Sequence, residues 1–140
     1  MAHDHASDDF DWVGAQSICN AASMFSRLQA GAKADVEQRN SLAESDDDWT
    51  FAFHQAEDDD VDAFEVTRAT VSGKVTALVK FERAGRRIHV QGDDVDVDFT
   101  AVVILDAGGA CRCVVGEALY AEWEIRRMAL ELLFFEETQE

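Results

Sequence analysis

From Trp49 onward the hydrophobic residues recur at every second position, in short runs separated by connections that mostly carry glycine. The run "WTFAFHQ" puts Trp49, Phe51, Phe53 and Gln55 on one side and Thr50, Ala52 and His54 on the other. "AFEVTRAT", "VTALVKFER", "RIHVQG", "DVDVDFTAVVILD" and "CRCVVG" follow, joined through "VSGK", "AGR", "GDD" and "AGGA". A period of two belongs to strands, and connections this short close hairpins. The pattern predicts an antiparallel meander of five or six strands. Two of these runs are apolar on both sides. In 75–83, Val79 and Phe81 alternate with a set containing Leu78; in 96–106, Ala101 and Val103 alternate with Val102 and Ile104. A sheet wet on one face does not need this, so cover on part of the second face is expected.

Helical periodicity flanks the strand series. Gly14, Ile18, Ala21, Ala22, Phe25 and Leu28 recur at spacings of three and four, after acids at Asp8, Asp9 and Asp11 that suit a helix start. Gly31 reads as a stop, and "AKADVEQRNSLAE" as a short second helix. The last segment, "GEALYAEWEIRRMALELLFFEE", reads as one helix with two apolar stripes. Ala121, Ile125, Met128, Ala129, Leu132 and Phe135 form the first; Leu119, Trp123, Leu130 and Phe134 form the second, nearly opposite. The fold class expected is α+β: an N-terminal helix, a five- to six-stranded antiparallel meander sheet and a long C-terminal helix. Residues 1–7 read as a flexible tail and 8–140 as a single domain, and 140 residues suffice for one core.

The charge excludes some partners. With 29 acids against 12 bases the net charge is −17, which repels both nucleic acid and an anionic membrane. No apolar run reaches the roughly 20 residues of a membrane helix, and the acidic start "MAHDHASDDF" has no secretory core segment. The three cysteines are an odd number and do not form a disulfide framework, so the cytoplasm is the expected compartment. Asp outnumbers Glu and Arg outnumbers Lys, as in proteins that work in high salt.

Site candidates are few. Asp58, Asp60 and Asp62 open like a calcium loop, but Ala63 and Ala69 stand where the loop requires Gly and Glu. Asp94, Asp96 and Asp98 repeat the spacing and fail in the same way, at Phe99 and Leu105. "HDH" at 3–5 has no third ligand nearby. Cys111 and Cys113 share a strand face and lack the second pair of a zinc site, so they read as small core residues, with Cys19 the remaining thiol. Neither a metal nor a cofactor is expected. His54 and His89, with Glu65, could line a sheet-face pocket and do acid–base chemistry, although an isolated strand histidine is ordinarily only solvated. No nucleophile-elbow, Walker or dinucleotide motif is present.

Asp46, Asp47, Asp48 and Asp58, Asp59, Asp60 bracket the aromatic run. Such runs ordinarily mark solvated loops, and they keep an apolar, β-prone strand from pairing with strangers. Their functional reading is a surface for a basic protein partner. Size and charge, without any motif, resemble those of secretion chaperones, toxin-immunity proteins and nucleic-acid mimics. The expectation is a cytoplasmic, non-enzymatic protein-binding homodimer that pairs through Leu119, Trp123, Leu130 and Phe134. The alternative is a small enzyme or ligand-binding protein with a pocket near His54 and His89.

Overall fold

The computed structural model describes residues 10–42, 49–56 and 62–135 of the chain. The expected tail at 1–7, the "HDH" at 3–5 and both aspartate runs that bracket the aromatic strand lie outside the described residues. Within them the order is α1 (Trp12–Ile18), α2 (Ala21–Ser41), β1 (Trp49–Gln55), β2 (Asp62–Thr70), β3 (Val75–Ala84), β4 (Arg87–Asp93), β5 (Asp98–Leu105), β6 (Cys111–Val115), β7 (Ala118–Tyr120) and α3 (Glu122–Phe135). The strands form one antiparallel sheet in sequence order, β1 to β7. The fold is α+β as expected, with seven strands rather than five or six.

The added strand comes from the segment read as the start of the last helix. Val115 pairs with Ala118, which leaves Gly116 and Glu117 as a two-residue turn with Gly116 at φ 63°. A positive φ at the first central residue is the type II′ arrangement that fits strand twist, and Gly85 does the same between β3 and β4. "ALY" therefore extends the sheet. Leu119 stands on β7 opposite Val114, not on a helix.

The N-terminal helical segment divides elsewhere than expected. Asn20 caps α2, its side chain accepting from the Ser23 N–H, so the break falls at Cys19–Asn20. The helix then runs straight through Gly31. The missing side chain has a packing role: a Cβ there would lie 2.6 Å from Arg126 Nε, so glycine lets the Arg126 side chain cross α2. Ala21, Met24, Phe25, Leu28, Ala32 and Val36 form the buried face, while Ile18 is 72% exposed.

Both α2 and α3 lie on one face of the sheet. The core joins their inner residues to Phe51, Phe64, Val66, Val79, Phe81, Ile88, Val90, Ala101 and Cys113. Phe64 is its aromatic centre, stacked on Phe81 at 4.4 Å and flanked by Phe25 and Phe53, each at 5.3 Å. The opposite face holds Ala52, Leu78, Val102, Ile104 and Val114, half-buried among polar neighbours. Neither long helix supplies the cover expected there.

The disulfide expectation is also corrected. Cys19 and Cys111 are bonded across 92 residues, with Cα atoms 5.3 Å apart, within the usual span for such a bridge. Cys113 remains a buried thiol, as a small core residue should. An odd count excludes a fully paired set and says nothing against one bridge.

Candidate functional site

The sheet face away from the helices carries the expected acid–base residues. Antiparallel register sets His54 beside Glu65, Glu65 beside Lys80, Lys80 beside Gln91 and Gln91 beside Asp98, one polar row across five strands. His89 belongs to the next row, between Glu82 and Thr100. His54 and His89 thus share a face but sit three strands apart, roughly 14 Å at the usual strand spacing. Each imidazole is held by a sheet neighbour: His54 Nε2 meets Thr67 Oγ1 at 3.3 Å, and His89 Nε2 meets Asp98 Oδ1 at 2.9 Å. His54 and Asp98 are exposed, so the row forms a surface. Glu65 adjoins His54 alone, and the three residues do not converge on one substrate atom.

The predicted interface residues are divided by the packing. Helix α3 turns Ile125, Ala129, Leu130, Leu133 and Phe134 into the core, an arc midway between the two expected stripes. Leu130 is 2% and Phe134 7% exposed. The cover is α2, which lies beside α3, together with β1, whose Phe51 ring meets Phe134 edge-on at 5.0 Å. Neither residue is an outward anchor. Trp123, 54% exposed, faces outward from α3, whereas Leu119 lies on the opposite sheet face.

Between α2 and α3 runs a groove of about 410 Å³, floored by Leu130 and Phe134 and rimmed by the exposed apolar residues Leu42, Trp123 and Phe135. Arg126 ties its walls together. It donates to Glu122 Oε2 at 2.6 Å within α3 and to Asp35 Oδ2 at 2.7 Å on α2. Partial burial works against this charge, but the bonds from Glu122 and Asp35 outweigh it and hold the guanidinium pKa above its ordinary value. Arg127 pairs with Glu131 on the exposed side. Arg39 donates through Nε to the Phe134 carbonyl at 3.0 Å and lies over the rings of Phe51 and Phe135. From β2, the buried Arg68 reaches the Leu133 carbonyl and packs over Trp49 at 4.6 Å. α3 has no basic residue in its last turn, so two arginines from other elements bond its final carbonyls. The register of "AFEVTRAT", with Arg68 on the same side as Phe64 and Val66, was the sequence signal for this.

The aspartates proposed to bind a partner lie outside the described residues, but the distribution of charge is informative. The described ranges hold 15 of the 29 acids and all 12 bases, leaving 14 acids and no base in the four remaining segments. Two of those segments, 43–48 and 57–61, join the two ends of β1. Among the described residues no group of three or more His, Cys, Asp or Glu side chains is placed to hold a metal, and no helix is long and apolar enough to cross a membrane. Comparison with protein-family models, with curated proteins and with solved structures finds no match.

Proposed function

We propose that this chain is a non-enzymatic protein-binding domain. It pairs with a second copy through the α2–α3 groove and offers its acidic segments to a basic protein partner. The observation that carries this reading is the groove itself, whose apolar rim leaves Trp123 54% and Phe135 63% exposed beside a buried floor. Burying one such side chain is worth about 1.5–3 kcal/mol, and a contiguous patch of this kind is characteristic of interfaces. A second copy suits this surface because its rim is apolar and its acids are already paired within the chain, Asp35 with Arg126 and Glu131 with Arg127, so a self-complementary twofold contact can cover them as neutral pairs. The separation of His54 from His89 weighs against a shared acid–base pocket between them, the basis of the enzymatic alternative.

Light scattering at micromolar concentration should report about twice the 15.5 kDa chain mass. Trp123→Glu should shift the particle to the monomer mass with its circular dichroism unchanged, because Trp123 lies outside the core. Leu119→Glu, on the other sheet face, should leave the mass as it is. A wild-type monomer under these conditions overturns the dimer.

A further inference from the structure

We propose that the Cys19–Cys111 disulfide is a redox latch, opened by a dithiol reductant, that holds the N-terminal segment 10–18 at the β5–β6 end of the sheet. Among the described residues segment 10–18 has little else to hold it. No residue of α1 is buried, and Trp12, Val13 and Ile18 are 61%, 60% and 72% exposed. Its side-chain hydrogen bonds are local: the Gly14 N–H donates to Asp11, Ser17 donates to the Gly14 carbonyl, and Asn20 donates to the Ser17 carbonyl. The Phe10 ring also reaches the body, lying against Gly109 in the β5–β6 turn. A seven-residue helix does not persist on its own, so its place depends on that bond. The body beyond Cys19 is differently made. Helix α2 begins at its own cap, Asn20, and carries six buried residues, so it does not need the bond to stay docked.

The bridge is reachable from one side, since Cys111 is only partly buried whereas Cys19 is 4% exposed. A thiolate of the reductant attacks one sulfur and the S–S bond breaks. The second thiol of the reductant then resolves the mixed disulfide. The reductant leaves as a disulfide, and Cys19 and Cys111 each gain a proton and one of the two electrons. Cys113, two residues from Cys111 on the same strand, does not compete. Burial pushes its thiol up to about 11, so it stays protonated near neutrality. The closed latch presents Phe10, Trp12, Val13 and Ile18 at a fixed place; the open latch puts them on a free arm. Cytosolic disulfides are mostly of this reversible kind.

Hydrogen exchange read by mass spectrometry on the full chain tests this, with and without dithiothreitol, beside a Cys111→Ser variant. Reduction should abolish protection in 10–18 while α2 and the sheet keep theirs, and removing the reductant in air should restore it. Cys111→Ser should show the released pattern under both conditions. Equal exchange of 10–18 in the oxidised and reduced protein overturns the latch. So does loss of protection throughout the sheet on reduction, which would make the bond a staple of the whole fold. Three alkylatable thiols in the oxidised, denatured protein would remove its basis.

Discussion

Asn40, in the last turn of α2, gives a sharp test of how the sheet is closed. β1 is an edge strand, and the backbone groups of Phe51 face away from β2. Asn40 meets them as a neighbouring strand would: its Nδ2 donates to the Phe51 carbonyl at 2.8 Å, and the Phe51 N–H donates to its Oδ1 at 3.0 Å. Asn40→Ala removes both bonds. At a net 0.5–1.5 kcal/mol each, the loss is about 2 kcal/mol, with Phe51 itself 4% exposed. Alanine returns about 0.5 kcal/mol through helix propensity, since asparagine is the poorer helix former. The net of about 1.5 kcal/mol should lower Tm by roughly 5 °C for a chain of this size. Calorimetry reads this directly. Ser41→Ala is the control, because among the described residues the Ser41 hydroxyl donates to the Gln38 carbonyl of its own helix, and it should stay within about 0.5 kcal/mol of wild type. The exposed edge should also raise turbidity on incubation at high protein concentration. A Tm for Asn40→Ala that matches Ser41→Ala would refute the claim that this amide acts as an eighth strand.

Raising NaCl from about 0.01 to 1 M shrinks the screening length from roughly 30 Å to 3 Å, so Tm should rise; a flat profile would mean that the acids do not repel one another in the folded state. Asp106 accepts from the N–H groups of Ala110 and Gly108 and from Arg112, and these bonds, Ala110 first, hold its carboxyl below the usual range against its partial desolvation. A lowered folded pKa gives stability that is present above the unfolded value near 4 and lost as pH falls through the folded one. The acid limb of a wild-type stability curve below about pH 4 should accordingly be steeper than that of Asp106→Asn, and superimposable limbs would contradict this. Elemental analysis of protein purified without added metal should find no stoichiometric zinc or calcium.

The strands were legible because their signal is local. A period of two with glycine in the connections marks β1 to β6 directly, and the pairing then follows from short turns. β7 was not legible: "ALY" is three residues long and continues smoothly into a helical pattern, and only the positive φ at Gly116 and pairing with β6 make it a strand. The helix stripes failed for a related reason. Counting from Leu119 added a strand residue to the second stripe, and no periodicity argument shows that α2 will lie against α3 and cover Leu130 and Phe134. Gly31 was misread because a glycine that ends a helix and one that admits a crossing arginine look alike without the arginine. The groove depends on Asp35 and Arg39 of α2 meeting Arg126 of α3, 91 residues beyond Asp35, and was invisible for that reason. Its exposed Trp123 was the one interface residue on the groove rim that the sequence pattern pointed to.

The position of the charge connects these observations. A net −17 suggests a uniformly acidic surface, but the residues that build the helices and sheet carry nearly balanced charge, and 14 acids without a base fall in segments joined to them. Four of those acids enter the chain immediately before β1 and four immediately after it, while β1 itself contains no acid or base other than His54. The most aromatic strand is also one of the two edge strands of the sheet, with Asn40 occupying its backbone at Phe51 and acidic segments attached at both ends. Hydrogen bonding blocks pairing at one point, and like-charge repulsion opposes it between copies of the chain whatever the register. The lining of the α2–α3 groove sets Asp35 and Glu131 against Arg39, Arg126 and Arg127, while its rim residues Leu42 and Phe135 lead directly into acidic segments. The proposed contact between two copies and the proposed attraction of a basic partner rest on different residues, Trp123 and Phe135 for the one and the acidic segments for the other.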